Sequence, residues 1–363
     1  MSYIPQIEPW IDQEELKELS EVIASTFITE NRKTEEFLEG IKALTGARYA
    51  IATSNGTLAL VAALIASEIG PGDRVIVPDL TFIASSNAVR LVGATPVFCD
   101  VDRQTGCMDI QMVESLITED VKAIMPVHLY GQVVDMNLLM TLADEYSIVI
   151  IEDAAEALGV TLSGLHAGTY GRFGTFSFFA NKTITCGEGG VVLCKTEADY
   201  KILYRIKNHG RDRKGVFVHD SVGYNFCFTD LQAAVGVAQL RKFGAIMQGK
   251  RRVFEQYLKA FEGANGLKLM KPPPDVSSNY WFMNILIDDP AALSTYLHEQ
   301  GIGSRRFFFP LYAQPCNQDL NAPVQPNSQW LYDHGLSLPS GPQLSEYDVM
   351  RICDTVLNFM RRR

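Results

Sequence analysis

Apolar and polar positions follow a repeating order in the first half of the chain, a short apolar run and then a segment with helical spacing. The pattern covers residues 48–155 and includes "RYAIATS" before "GTLALVAALIAS", "RVIVP" before "TFIASSNAVRLV", and "TPVFCD" before a predicted helix near 109–117. It continues with "KAIMPVH", a predicted helix near 136–145, and "SIVIIEDA". Strands that alternate with helices indicate βαβ units and a mostly parallel sheet. Ligands of such sheets bind beyond the carboxyl ends of the strands, so side chains at those ends are candidates for function.

The second half of the chain has a different pattern, which predicts a smaller domain. A long helical segment runs from "TDLQAAVGVAQLRKF" through "MQGKRRVFEQYLKAFEG" and is followed by the proline cluster "MKPPPD". Beyond it come the apolar run "WFMNILID", a predicted helix near 290–300, the aromatic run "SRRFFFPLY" and a last predicted helix near 345–361. We therefore expect a large domain over residues 1–240 and a smaller α/β domain over residues 241–363, joined through the long helix.

Composition narrows the classes of function. The chain has 363 residues, 47% of them hydrophobic, and its formal charge of −10 argues against nucleic-acid binding, which uses clustered Lys and Arg. The seven cysteines are odd in number and scattered, with no CxxC pair and no histidine at metal-ligand spacing, so we expect no metal site and a reducing, cytoplasmic compartment. The first residues lack the features of a signal peptide, and no run approaches the ~18 apolar residues that span a membrane.

Three short motifs at predicted strand ends could carry chemistry. In "TSNGTLAL" a strand stops and a helix begins at Asn55, Gly56 and Thr57. The exposed N–H groups and the positive end of the helix dipole there can bind a phosphate, which Gly56 lets approach the backbone. The alternative is an ordinary capped helix start. The Lys of a nucleoside-triphosphate loop is absent at the required spacing.

The second motif is "SIVIIEDAAEALG", an apolar strand that ends in Glu152 and Asp153. A carboxylate at the end of a buried strand is costly unless it is paired, so Asp153 should face water, cap a helix or meet a cation. Asp153 followed three residues later by Glu156 resembles a capping box, and this alternative stays open beside a role as a functional partner.

The third motif is Lys182 in "SFFANKTITCGEGG", between an aromatic run and a glycine-rich turn. An isolated lysine is usually a surface residue, but burial disfavours the ammonium form of a lysine and leaves an amine able to form a Schiff base. A phosphate seat, a carboxylate and an amine, in this order, are what pyridoxal 5'-phosphate (PLP) requires for its phosphate, its ring nitrogen and its aldehyde.

With these residues the sequence resembles the sugar aminotransferases of the DegT/DnrJ/EryC1/StrS family. The resemblance runs nearly end to end, through "NGTLAL", "GPGDRVIVPDLTFIASSNAV", "GATPVFCDVD", "KAIMPVHLYGQVVDM", "IEDAAEALG", "GTFSFFANKTITCGEGG" and "GYNFCFTDLQAA". It implies an aspartate-aminotransferase-like α/β fold (PLP fold type I), with a mostly parallel sheet sandwiched by helices and a smaller C-terminal α/β domain. It also implies transfer of an amino group from L-glutamate to a nucleotide-linked keto sugar, as in pathways that supply O-antigen and other lipopolysaccharide sugars.

The resemblance also implies roles for individual residues. Lys182 would bind the aldehyde and later move a proton between the amino carbon and the cofactor, while Asp153 would pair with the pyridine nitrogen. Phe82 would stack on the ring, Glu156 would lie near its hydroxyl, and Asn225 would reach the phosphate of the partner subunit in a homodimer with shared active sites. The phosphate of the same subunit would be held by Gly56, Thr57, Leu58 and Ser177. A branch with histidine in place of the lysine dehydrates sugars, so Lys182 favours transamination.

Two segments depart from the family pattern. Cys227 stands where relatives usually carry an arginine, so the donor's carboxylate needs another partner, and Arg205, Arg211 and Arg213 are the alternatives to a merely solvated basic loop.

In "SRRFFFPLY", relatives often carry histidines near Phe309 and Tyr312, whereas Arg305 matches; this segment would meet the nucleotide sugar, and we expect at least one of its phenylalanines in the core. His128 is a further candidate base, with a structural role as the alternative.

Three functions therefore remain in view. The first is amination of GDP-4-keto-6-deoxy-D-mannose to GDP-perosamine. The second is the same reaction on a dTDP- or UDP-linked 4-keto or 3-keto deoxysugar. The third belongs to another class, a PLP-bound regulatory protein without turnover.

Overall fold

The computed structural model describes residues 2–213 and 215–362. Fourteen strands occur in this part of the chain: β1 (Tyr49–Thr53), β2 (Arg74–Pro78), β3 (Thr95–Cys99), β4 (Val121–Ile124), β5 (Val149–Asp153), β6 (Thr161–Leu162), β7 (Leu165–His166), β8 (Phe173–Ser177), β9 (Gly190–Cys194), β10 (Leu267–Leu269), β11 (Val276–Ser277), β12 (Met283–Ile287), β13 (Arg305–Arg306) and β14 (Gly335–Leu338).

Eleven α-helices accompany them in the same described ranges: α1 (Gln13–Ser25), α2 (Arg32–Thr45), α3 (Gly56–Ala66), α4 (Ala84–Leu91), α5 (Ile110–Leu116), α6 (Met136–Tyr146), α7 (Glu197–Lys207), α8 (Asp230–Ala260), α9 (Pro290–Glu299), α10 (Pro326–His334) and α11 (Glu346–Arg361). The helices predicted near 109–117, 136–145, 290–300 and 345–361 are α5, α6, α9 and α11.

A seven-stranded sheet forms the centre of the molecule, in the order β1-β9-β8-β5-β4-β2-β3. Every neighbouring pair from β8 to β3 is parallel, whereas β9 runs antiparallel to both β1 and β8. The strands are buried along almost their whole length. Helix α3 is apolar on nearly every face, which suits its position between β8, β9, α4 and α7. The predicted mostly parallel α/β sheet flanked by helices is confirmed.

A second, four-stranded sheet in the order β10-β12-β14-β13 lies in the C-terminal part of the chain. Its core includes Val253 and Tyr257 of α8, Leu293 of α9 and Ile352 of α11. The 31-residue helix α8 packs against α1 and α2 as well as α11, so it is shared by both parts, and residue 240 lies inside it. A division of the chain near this residue stays a prediction.

A small three-stranded sheet connects the two parts. β11, from beyond the proline cluster, pairs with β6, which pairs with β7. The segment 278–282 follows β11 directly and is therefore anchored beside the carboxyl edge of the large sheet before the chain enters β12.

Candidate active site

One cavity of about 730 Å³ lies at the carboxyl edge of the large sheet. The segments that follow β1, β2, β4, β5 and β8 all contribute to it, as expected for a parallel α/β sheet. Its lining comprises residues from both parts of the chain: Asn55, Gly56, Thr57, Leu58, Leu60, Thr81, Phe82, Ala84, Val127, Asp153, Ala155, Glu156, Ser177, Phe179, Asn181, Lys182, Glu188, Trp281, Arg305 and Phe308.

The amino terminus of α3 forms one wall of this cavity. Asn55 caps the helix, since its side chain accepts a hydrogen bond from Leu58 N at 2.9 Å. A Cβ built on Gly56 would lie 2.8 Å from Ser177 Cβ, so only glycine lets the helix start pack this closely against β8. The first-turn N–H groups have no partner within a helix and lie at its positive end. The cap and the anion seat are therefore compatible readings of the same residues.

Asp153 ends β5 and is 5% exposed. Its carboxylate accepts hydrogen bonds from Ser85 Oγ at 2.8 Å and from Ala155 N at 3.1 Å. The capping-box alternative for Asp153 and Glu156 is wrong, because no helix follows β5 before β6. The chain instead makes turns closed by hydrogen bonds between residues three apart, from Ala157 N to Ala154 O and from Val160 N to Ala157 O.

Lys182 lies on the turn that connects β8 with β9, and only 14% of its side chain is exposed. Its Nζ is 3.5 Å from Glu156 Oε1 and 4.2 Å from the centroid of the Trp281 ring. The two phenylalanines before it have different environments: Phe178 is fully buried in the core, whereas Phe179 lines the cavity.

Glu156 is a buried carboxylate that faces this amine. Its Oε2 accepts a hydrogen bond from Tyr130 N at 2.9 Å. Burial raises the pKa of Glu156, because the charged form is disfavoured away from water, while Lys182 and the Tyr130 N–H oppose that increase. The cavity thus holds an amine and, 3.5 Å from it, a buried carboxyl group.

Several predicted residues lie outside the lining of the cavity. Asn225 is exposed and bridges to Asn208. Phe309 packs against Tyr332, and Tyr312 donates from its hydroxyl to Gln329 at 2.7 Å. Another of them is Arg211, which donates to the Asn208 side chain at 2.7 Å.

The basic loop that could replace the missing arginine lies away from the cavity of its own chain. Arg205 forms an ion pair with Asp212, and Arg213 is exposed. Cys227 Sγ is 3.6 Å from Lys207 O. Arg305, in contrast, lines the cavity, with its guanidinium carbon 5.0 Å from the centroid of the Phe308 ring.

Several residues of this site were not predicted from the sequence. Ser85 holds Asp153, Tyr130 holds Glu156, and Trp281 lies under Lys182. Phe308, rather than Phe309, lines the cavity, while Phe307 is the core phenylalanine that was expected. Within "SRRFFFPLY" the period-two alternation of an extended segment separates Phe307 from Phe308 and could have been used.

His128 has a structural environment. It is fully buried, with Nε2 2.9 Å from Glu152 Oε2 and Nδ1 accepting from Val134 N at 3.3 Å. Glu152 also accepts from the backbone N–H groups of Gly168, Tyr170 and Gly171, each at 2.7 Å. Neighbouring residues of a strand point to opposite faces, so Glu152 organises the core while Asp153 faces the cavity.

The cavity residues fit PLP in three respects. Lys182 Nζ supplies an amine, Asp153 supplies a nearly buried carboxylate, and the amino terminus of α3 supplies N–H groups beside a glycine that approaches Ser177 closely. Phe82, 52% exposed, adds an aromatic face. This set of groups is the one expected of a PLP-dependent enzyme.

The chain belongs to the DegT/DnrJ/EryC1/StrS aminotransferase family, whose model matches residues 9–357. It is 36% identical to the GDP-perosamine synthase of Escherichia coli O157:H7, over 99% of each chain, and 36% identical to that of Vibrio cholerae, over 98% of this chain and 99% of the relative. It is also 36% identical to a UDP-N-acetyl-3-dehydro-α-D-glucosamine 3-aminotransferase of Acidithiobacillus ferrooxidans, over 87% of this chain and 85% of that one.

Solved structures agree with the fold. The structure of S. venezuelae DesV matches with a TM-score of 0.94 at 29% identity, covering all of both chains. The PLP form of Spr1654 from Streptococcus pneumoniae matches with a TM-score of 0.92 at 27% identity, covering 100% of this chain and 99% of that one. The predictions of family, fold, cofactor and enzyme class are confirmed: the protein is a PLP-dependent sugar aminotransferase.

Residues 2–213 and 215–362 contain neither a membrane-spanning helix nor a cluster of metal-ligating side chains. Every helix there is too short or too polar to cross a lipid bilayer. No group of three or more His, Cys, Asp or Glu side chains is arranged to hold a metal ion in the same residues.

Proposed function

We propose that this enzyme moves the amino group of L-glutamate to GDP-4-keto-6-deoxy-D-mannose and so produces GDP-perosamine. The observation that carries the proposal is the convergence of Lys182, Asp153 and the α3 amino terminus on one cavity. The particular acceptor is supported by similarity to GDP-perosamine synthases over nearly the whole chain. We also assign the enzyme to the cytoplasm, on the odd and scattered cysteines of its sequence.

PLP, when bound, supplies the group that carries the amine between the two substrates and a ring that withdraws electrons. Asp153 would pair with the ring nitrogen, and the hydrogen bonds from Ser85 Oγ and Ala155 N fix the direction of its carboxylate. The backbone of Gly56, Thr57 and Leu58, with Ser177, would hold the phosphate, and Phe82 would contribute an aromatic face for the ring.

Lys182 is the proton carrier of this proposal. Its Nζ removes the proton from the amino-bearing carbon of glutamate in the first half-reaction and delivers a proton to the sugar carbon in the second. Glu156 faces that amine, with its Oε1 3.5 Å from Nζ. Its carboxylate is held in this place by Tyr130 N.

Arg305 and Phe308 form the substrate side of the cavity. Arg305 and Lys182 are the two cationic residues among the described residues that line it, so Arg305 is the group that binds the anionic parts of the substrates. Phe308 stacks on Tyr130 with the ring centroids 5.6 Å apart and lies beside Phe82, 5.8 Å away, so the Phe82 and Phe308 rings form one apolar surface. Phe309 and Tyr312, outside the lining of the cavity, would act through the shape of the segment.

The active unit of the proposal is a homodimer. Asn225 is exposed, and the segment that leads to it carries the exposed apolar side chains Phe217, Val218 and Val222. Apolar side chains clustered on a surface are typical of interfaces. If Asn225 completes the partner's site, a mixture of inactive Lys182→Ala and Asn225→Ala chains should regain activity through mixed dimers, whereas independent sites would leave the mixture inactive.

The covalent role of Lys182 is tested by peptide mapping. Its Nζ condenses with the PLP aldehyde with loss of one water, and borohydride adds a hydride to the carbon of the C=N bond while the nitrogen takes a proton from water. The label should appear on Lys182 and be absent from Lys182→Ala. A label on Lys207, Lys242 or Lys250, which are buried outside the cavity, would contradict the proposal.

The acceptor is tested with glutamate and a panel of GDP-, dTDP- and UDP-linked keto sugars, with the product identified by mass and NMR. We expect amination at C4 of the GDP sugar. Selective turnover of a UDP- or dTDP-linked sugar would favour the second candidate, which the UDP-sugar relative supports. A holoenzyme whose absorbance stays constant on addition of glutamate would indicate a regulatory protein instead.

A further inference from the structure

The turn that carries Lys182 is held on both sides by the short segment 278–282. Trp281 Nε1 donates to Asn181 O at 2.7 Å, immediately before the lysine. Asn279 Nδ2 donates to Thr183 Oγ1 at 3.0 Å, immediately after it. Both donors are buried, so these hydrogen bonds are shielded from competing water.

Trp281 also supports the Lys182 amine itself. The Nζ lies 4.2 Å from the centroid of the indole ring, so the flat face of the indole limits the positions that the amine can take. The ring is only 1% exposed and stacks on Phe282 at a centroid distance of 3.7 Å. The indole is therefore a fixed surface on which the amine rests.

Asn279 ties Glu156 to the same segment. Its Nδ2 lies 2.9 Å from Glu156 O and 3.1 Å from Leu158 O, and its Oδ1 accepts from Trp281 N at 3.0 Å. The side-chain amide of Asn279 thus contacts both the residue that follows Lys182 and the backbone of Glu156. A displacement of Asn279 would change their separation.

The segment is itself anchored to distant parts of the chain. Trp281 O accepts from Lys250 Nζ at 3.1 Å and from Ser340 Oγ at 2.9 Å. β11, just before the segment, pairs with β6. The lysine turn is thereby connected to α8 and to the C-terminal sheet, although it belongs to the large sheet.

We propose that Trp281 and Asn279 are positioning residues that hold Lys182 Nζ in the orientation required for attack on the PLP aldehyde. A lysine side chain has several rotatable bonds, and ordering it beforehand removes an entropic cost from the condensation step. The condensation forms a C=N bond and releases the carbonyl oxygen as water. This inference rests on the proposed role of Lys182.

The test compares two ligands of the cofactor-free protein. PLP binds and then condenses, whereas pyridoxamine 5'-phosphate carries an amine in place of the aldehyde and only binds. For Trp281→Phe, which lacks the indole N–H, we expect the rate constant of borohydride-trapped labelling at Lys182 to fall about tenfold, and for Trp281→Leu to fall further. The affinity for pyridoxamine 5'-phosphate should change less than about twofold, since its phosphate and ring seats remain.

Two further variants keep the test independent of folding defects. Thr183→Val preserves the shape of the side chain but removes an acceptor of Asn279, and it should also slow labelling. Trp330→Phe changes a tryptophan outside the cavity that pairs with Arg103, and it should have no effect.

An unchanged labelling rate in Trp281→Leu, or an equal loss of both ligands in Trp281→Phe and Thr183→Val, would overturn the positioning role. A wild-type label at another lysine would instead overturn the proposed function of Lys182.

Discussion

Lys250 shows how a single buried charge makes stability depend on pH. It lies on α8, is 1% exposed, and donates from Nζ to Trp281 O and Ser340 O at 3.1 Å each. Burial lowers the pKa of Lys250 from 10.5 to about 7 in spite of these two acceptors. Between these pH values the unfolded chain binds the proton and the folded chain releases it.

The first prediction follows from that difference. As the pH rises from about 7 to 10.5, this residue should increase the free energy of unfolding, by about 5 kcal/mol at most. Lys250→Met should lack this increase in urea unfolding measured at both ends of the range. Lys259→Met, an exposed position on the same helix, is the control and should keep the wild-type slope. Parallel curves for wild type and Lys250→Met would show that Lys250 stays charged.

At the scale of elements, the contact between α3 and β8 depends on one glycine. Gly56 is the first residue of α3, and an added Cβ would lie 2.8 Å from Ser177 Cβ, closer than such atoms approach in proteins. The helix start would have to move away from β8 and from the cavity. Its N–H groups would then leave the position from which we propose that they bind the phosphate of PLP.

We therefore predict that Gly56→Ala weakens the binding of PLP about tenfold or more, measured by release during dialysis, although alanine favours helices. Gly244→Ala is the matched control: it lies within α8, where a Cβ would meet no atom within 4 Å. That variant should keep its cofactor and gain up to about 1 kcal/mol in unfolding free energy. Equal retention of PLP by both variants would contradict the role of the close contact.

The elements were largely predictable from the sequence because their signals are local. Apolar runs with strand or helical spacing predicted the bounds of β5 and α6 within a few residues. The ends of the apolar runs also indicated Asp153, which ends β5, and Lys182, which follows β8. The residues that contact Asp153 and Lys182 were not predictable, because folding brings them together from distant parts of the sequence. Trp281 is 99 positions from Lys182 and lies in an apolar run without a motif. The supposed cap at Asp153 failed because local spacing does not reveal whether the chain continues as a helix or turns.

At the scale of the whole molecule, segment 305–312 is attached to the large sheet through a buried acid. Asp79 follows β2, and its backbone O and its Oδ1 accept from Leu311 N and Tyr312 N, at 2.9 and 2.6 Å. The same segment carries Arg305 and Phe308 into the cavity. Oδ2 of this aspartate is buried without a hydrogen-bond partner in the described residues.

The combined contribution of Asp79 and Lys250 to the free energy of unfolding should have a minimum near pH 7. Burial, with a smaller effect of Asp100, raises the pKa of Asp79 to about 7, while Tyr312 N and the Ser328 hydroxyl oppose the increase. From about pH 4 to 7 the folded chain therefore holds more protons than the unfolded chain, and the free energy of unfolding falls by up to about 4 kcal/mol. Above pH 7 the contribution of Lys250 rises, as argued above.

Asp79→Asn should remove the decrease between pH 4 and 7 and leave the increase above pH 7, whereas Asp79→Asn combined with Lys250→Met should remove both. The two residues share no hydrogen-bond partner among those described, so their effects should add. The measurement is urea unfolding of each variant relative to wild type from pH 4 to 10, with exposed Asp288→Asn as the control. Because the difference between variant and wild type cancels the titration of all other carboxylates, a difference that stays constant across this range would show that Asp79 is ionised throughout. The attachment of segment 305–312 to the large sheet would then involve a permanent buried charge on Asp79.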